Sequence, residues 1–322
     1  MEYNKLMVDA CKKNTVLRGY MLLQEIEEKR DKNGNPYCEL VLADGVSSLR
    51  SKVWKKAAAE LGYEVPAVVK VEIATKEYMG RPDHCINQHR AAEPECPFTL
   101  RDFVRTAPLE PEFMFEAILE ALHRSVGGQT AGTLAELAER IYRERRGQLL
   151  TWSAAEAVHH DMLAGLLYHT YRMMQQAEAM VKIYDSLNAE LLCAGVALHD
   201  IGKLDELMTD ALGISTYSVD GRLFGHAVLG IEAVDRMVAQ GNYDEEKVRC
   251  LKHCIASHHG RPEWGALSVP KIQEASVLHY IDHLDGDLHQ YEKAHAITPA
   301  GELTAKKIFG LENVKIYKPS FK

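Results

Sequence analysis

The sequence predicts a multidomain α+β chain: a small N-terminal β-barrel followed by an all-α domain. Three observations predict it. The first ninety residues alternate apolar and polar side chains with a period near two. A stretch rich in proline and acidic residues follows, "AAEPECPFTLRDFVRTAPLEPEF". Beyond it the apolar residues recur at helical spacing almost to the end. The expected division is a barrel over 1–92, a linker over 93–111, a helical domain over 112–300 and a tail over 301–322.

Within the first part, "VLRGYMLLQEIEEKR" reads as a long strand ended by the turn signal "DKNGNP". "YCELVLAD" and "SSLRSKVW" alternate and are joined by Asp44-Gly45, a hairpin dipeptide. "KKAAAELGYE" looks helical, and "AVVKVEIATKEYMGRPDHCINQHR" reads as two strands around Gly80-Arg81-Pro82. Five strands with a helix between the third and fourth suit a Greek-key barrel of the OB type.

In the second part, "EFMFEAILEALHRSV" and "LAELAERIYRERRGQLL" are amphipathic helices. "HHDMLAGLLYHTYRMMQQAEAMVKIY" reads as one long helix. "LLCAGVALHDIGKLDEL", "GHAVLGIEAVDRMVAQ", "DEEKVRCLKHCIASHH" and "KIQEASVLHYIDHLDGDLHQYEKA" follow.

The composition, 46% hydrophobic and 26% charged, is that of a globular protein. No apolar run approaches the roughly eighteen residues of a membrane helix. The start lacks the apolar core of a secretory signal, so a cytoplasmic location without membrane association is expected. The seven cysteines include no CxxC pair and suggest free thiols. Cys250, His253 and Cys254 have zinc-like spacing but lack a second pair. The net charge of −8 is uneven. Residues 1–92 hold 15 Lys/Arg against 13 Asp/Glu, or +2, which leaves −10 for the remainder. An acidic body binds phosphates when metal ions neutralise its carboxylates.

Twelve of the fifteen histidines lie beyond residue 150. Several adjoin apolar helical runs: His169, His199 next to Asp200, His226, the pair His258-His259, and Asp282 close by. One such histidine is ordinary core. Five positions in one helical domain point to a divalent-metal site built from facing helices. Mixed nitrogen and oxygen donors favour Mn²⁺, Fe²⁺ or Zn²⁺ over Ca²⁺.

The order H…HD…H…HH…D resembles the HD-domain metallophosphohydrolases over roughly residues 155–295. Within them, "HHDMLAGLLYHT", "AGVALHDIGKLDEL", "GRLFGHAVLG", "SHHGRPEWG" and "LHYIDHLD" resemble the YhaM-type 3′-to-5′ exoribonucleases, which also carry an N-terminal OB-fold. The resemblance implies one metal on His169, His199, Asp200 and Asp282. Asp200 would bridge to a second on His226, His258 and His259. Manganese is the expected metal, with Fe²⁺, Zn²⁺, Co²⁺ or Mg²⁺ as alternatives. The implied activity is hydrolysis of single-stranded RNA, or single-stranded DNA, to nucleoside 5′-monophosphates. Some HD proteins gather a third metal on a carboxylate one turn before the first histidine. Here that position is Gly165, so one or two metals are expected.

Lys203 lies i+4 from His199 and is assigned to a non-bridging phosphate oxygen; the alternative is a solvated lysine at a helix end. Arg261 is a second phosphate candidate. Trp264 is either a base-stacking or a packing residue. On a continuous helix His160 would lie about 180° from His169, so His159 and His160 read as substrate-facing or structural. In the barrel, Trp54, Tyr37 and Tyr78 are candidate stacking platforms, and Arg50, Lys52, Lys55 and Lys56 supply charge. Two other functions stay open. One is an HD phosphohydrolase of nucleotides or cyclic nucleotides with a regulatory barrel; the other is a non-catalytic nucleic-acid-binding adaptor. A homo-oligomer packed through the helices of 112–150 is a further expectation.

Overall fold

The computed structural model describes residues 4–11, 14–78, 81–154, 162–210 and 212–321. These form two compact units that meet at Arg105/Thr106.

The first unit is a closed five-stranded barrel of OB topology. Its strands are β1 (Thr15–Arg30), β2 (Pro36–Ala43), β3 (Ser48–Trp54), β4 (Ala67–Tyr78) and β5 (Arg81–Ala91), in the order β1-β2-β3-β5-β4. The helical turn α1 (Ala58–Leu61) lies between β3 and β4. β1 is long because it serves two partners. Its first half pairs with β4 and its second half with β2, and a bulge near Leu23/Glu25 bends it around the barrel. The alternating residues Met21, Leu23, Leu40, Leu42, Val53, Val69, Val71 and Ile73 fill the interior. Barrel closure is a parallel bridge between Lys52 and Cys85.

Two expected turns differ in detail. The β2–β3 connection is a four-residue loop, Asp44–Ser47, rather than a dipeptide turn. The buried Asp44 carboxylate accepts from the amides of Val8, Val46 and Ser47 and so organises the wider loop. Arg81 and Pro82 lie inside β5, paired with Tyr78 and Glu77. Within the expected linker, Phe98 packs on Tyr20 and on the buried Phe103, so this stretch belongs to the barrel unit.

The second unit is helical: α2 (Pro111–Ser125), α3 (Leu134–Glu144), the short α4 (Arg146–Leu149), α5 (Gly165–Ile183), α6 (Ala189–Leu198), the short α7 (Lys203–Glu206), α8 (Val219–Val238), α9 (Glu245–Ser257) and α10 (Gln273–Ile297). α6 is apolar on every side and buried from Glu190 to Leu198, as the central helix of a bundle should be. Around it pack α2, α3, α5, α9 and α10. The Tyr142 hydroxyl of α3 donates to the Ala197 carbonyl of α6. The helices of 112–150 bury apolar residues, including Met114, Phe115, Ile118, Leu137 and Ile141, in this core.

The long helix expected to begin near His159 starts only at Gly165. Leu163 is held in a bridge with Thr106, and Ala164 has a left-handed backbone, φ +57°. Both end the helix on its N-terminal side. His159 and His160 lie outside the described residues. A small hairpin, β6 (Leu207–Thr209) with β7 (Ser215–Tyr217), was not expected. The segment after α10 folds back on itself through bridges Leu303–Tyr317 and Ile308–Val314, burying Leu311 and Ile316. No helix among the described residues is long and apolar enough to cross a membrane.

Candidate metal centre

Five helices deliver the donors. α5 carries His169 on its buried face. α6 ends at Leu198, and the turn that follows presents His199 and Asp200. α8 breaks at Gly225 (φ 73°, ψ 159°), and His226 is the next residue. α9 ends at Ser257, so His258 and His259 emerge from its last turn. α10 supplies Asp282.

These residues converge. His169, His199 and Asp200 form one group, and His226, His258 and His259 another; within each, one donor atom per residue lies within 4.8 Å of the others. Asp200 lies between the groups. Its Oδ2 is 3.3 Å from His199 Nε2, and its Oδ1 is 3.4 Å from His226 Nε2 and 3.7 Å from His258 Nε2. Asp282 Oδ1 is 3.2 Å from His169 Nε2.

The outward hydrogen bonds determine which nitrogen faces the centre. His199 Nδ1 donates to the Val196 carbonyl at 2.8 Å, and His258 Nδ1 to the Ile255 carbonyl at 2.7 Å. A carbonyl only accepts, so each Nδ1 carries a proton and each ring turns its Nε2 toward the centre. His169 Nδ1 meets the Asp285 carboxylate at 2.7 Å, and His226 Nδ1 lies 3.1 Å from both oxygens of Glu206. Such outer partners orient metal-binding imidazoles.

The Nε2 atoms of His226 and His258 are only 3.3 Å apart. His258 offers a lone pair there, and these two rings could hold a cation. His199 Nε2 and Asp200 Oδ1 are buried without a well-directed hydrogen bond among the described residues. An imidazole-rich set with carboxylates, its lone pairs turned inward, suits a borderline divalent ion.

Electrostatics agree with this arrangement. Burial opposes ionisation of Asp200, yet Lys203 and the surrounding imidazoles outweigh it and hold the carboxyl well below its usual range. Burial likewise disfavours charge on Asp282, and the hydrogen bond from His169 overcomes it. Burial and then His259 keep His258 neutral, while burial and then His226 bring His259 down to about 4. Burial also works against charge on His169, but Asp282 and Asp285 lift it to about 9.

Lys203 is not a solvated helix-end residue. It is 8% exposed, and its Nζ lies 2.8 Å from Asp200 Oδ2. Arg261 and Trp264 follow the α9 histidines on an exposed turn, with the Arg261 guanidinium 5.0 Å over the indole. The Cys250–His253–Cys254 turn does not converge as a zinc site: Cys254 faces the core, and His253 Nε2 accepts from the Lys271 amide. On the barrel, Tyr37 and Trp54 are cross-strand partners with ring centroids 4.8 Å apart, and Lys52 Nζ is 5.6 Å over the indole. Lys52 is also paired with Asp83, and Arg50 with Glu27 and Glu39, so these cations project a weak field. Tyr78 is exposed.

Sequence reasoning missed Asp285 and Glu206. Asp285 had a usable signal, since it lies three residues after Asp282 on one helix. Glu206 had none beyond its place in "KLDEL".

Among solved structures, the second OB-fold domain of replication protein A from Methanococcus maripaludis is similar at 16% identity. The match covers 26% of this chain and 89% of that one, with a TM-score of 0.21. Residues 166–287 match the HD domain family, a span that contains every donor named above, and this part of the chain is an HD domain.

Proposed function

We propose that the protein is a divalent-metal-dependent phosphodiesterase that removes nucleotides one at a time from the 3′ end of single-stranded RNA, or of single-stranded DNA. The observation that carries this reading is Asp200 lying between two histidine groups, with imidazole Nε2 atoms from both close to its carboxylate. His169, His199, Asp200 and Asp282 would hold one ion and His226, His258 and His259 the other, with Asp200 shared. Bound there, two ions would polarise a phosphoryl oxygen and make water a nucleophile near neutral pH.

The protein's own groups do the rest. Asp285 and Glu206 orient His169 and His226. Lys203, whose Nζ lies 2.8 Å from Asp200 Oδ2, would offer its positive charge to a non-bridging phosphate oxygen. Arg261 would meet a neighbouring phosphate. The Tyr37–Trp54 pair with Lys52 gives the barrel a stacking surface for unpaired bases, and its near-neutral charge fits modest affinity.

Incubated with Mn²⁺ and an end-labelled RNA homopolymer, the protein should produce a ladder shortening by single nucleotides from the 3′ end. Hydrolysis confined to mononucleotides or cyclic nucleotides would sink the exonuclease reading.

Metal loading should also depend on pH. His169 holds a proton at neutral pH, and ligation through Nε2 requires it to leave. Apparent metal affinity should therefore rise between pH 7 and about 9 by roughly tenfold per unit, the slope of one released proton, and then level off. A flat profile measured by calorimetry in two buffers of different ionisation heat would remove His169 from the ligand set.

A further inference from the structure

Beside the metal centre lies a set of flat rings that the proposed chemistry leaves unused. Trp264 and His283 are stacked, with centroids 5.5 Å apart and planes 6° from parallel. His279 joins them, 6.1 Å from His283 at 28° and 5.9 Å from Trp264 at 33°. The stack joins two elements that also supply donors. His283 follows Asp282 on α10, and Trp264 lies on the turn after His258 and His259.

The link to the centre is short and rigid. His279 Nδ1 donates to the His258 carbonyl at 2.8 Å. Gly260 sits against the same ring with φ +77°, and a Cβ there would overlap the imidazole. Glycine is thus required for both its backbone and the close approach. The rings are nevertheless not core: Trp264 is 50% exposed, and the His283 side chain 55%. A supported, half-exposed indole beside a phosphate-handling centre offers a π-face to a planar ligand.

We infer that Trp264, backed by His283 and His279, seats the base of the 3′-terminal nucleotide, a role that rests on the phosphodiesterase reading. The base takes the place over the indole now covered by Arg261, whose guanidinium is then available to phosphate. Stacking uses a face that every base has. The seat therefore grips purines and pyrimidines alike, which suits an enzyme that must advance through any sequence.

The test is binding, independent of turnover. Affinities are measured by titration calorimetry, with tryptophan emission followed alongside in the wild-type protein, while adenosine 5′-monophosphate, uridine 5′-monophosphate or ribose 5-phosphate is added to the wild-type protein, Trp264→Leu and His283→Ala. Both nucleotides should quench emission saturably and bind at least about tenfold more tightly than ribose 5-phosphate. Each variant should weaken nucleotide binding about tenfold while leaving ribose 5-phosphate unchanged, a difference that mere loosening of the fold would not make. Should Trp264→Leu fail to fold, His283→Ala carries the comparison alone. Equal affinities with and without the base, absence of saturable quenching, or variants that bind nucleotide normally would overturn the proposal. Base-dependent quenching without a 3′ ladder would instead keep the seat and overturn the exonuclease reading.

Discussion

Asp200→Asn should abolish the shared site. The amide keeps the size of the side chain but cannot bridge two cations. On the proposed two-ion reading, bound metal should fall to one ion per chain or none. Hydrolysis should drop by more than the about 10–100-fold typical of losing an outer partner, to on the order of a thousandfold or beyond. Elemental analysis and the ladder assay read the two effects. There is a second consequence. Asp200 is the ion partner of buried Lys203, so the variant strands a buried ammonium. Breaking such a pair costs about 3–5 kcal/mol. The double variant Asp200→Asn/Lys203→Met separates the roles, because it removes the stranded charge and should regain stability without regaining metal. Unchanged metal content and turnover in Asp200→Asn would refute the bridging role.

Gly202→Ala should be nearly as damaging, for a steric reason. The added Cβ would overlap the backbone carbonyl of His226 and lie 2.5 Å from the Gly230 amide nitrogen. Both belong to α8, and backbone cannot rotate aside as a side chain can. The turn after Asp200 and the helix carrying His226 must separate, which takes His226 Nε2 away from its present 3.4 Å from Asp200. Overpacking of this kind costs about 1–3 kcal/mol, sometimes more, and here it also opens the second donor group. Thermal melting and metal content should both fall. Gly286→Ala is the control. Nothing lies within 4 Å of its Cβ position on α10, and alanine there should stabilise the helix by up to about 1 kcal/mol. Equal behaviour of the two variants would contradict the packing of α8 on this turn.

The sequence carried the architecture because both units advertise themselves locally. Period-two alternation in β1 to β5 and period-3.6 runs in α2 to α10 each encode which face is buried. The candidate donors were legible for a related reason. His199 and Asp200 stand at the end of an apolar helix, where an unpartnered polar pair is costly. The helix break at Leu163–Ala164 was not legible, since that stretch is as apolar and helix-compatible as its neighbours. A bridge to Thr106, far back in the chain, overrides it.

The sequence by itself thus determined the two folds and the residue types of the centre, because burial of one face repeats within a few residues. Only the tertiary structure decided how those residues act. It set the inward nitrogen of each ring, placed Asp200 between the histidine groups, buried Lys203 against it, and brought Asp285 to His169 across 116 positions. Those are long-range pairings, set by how helices pack, and no local spacing records them.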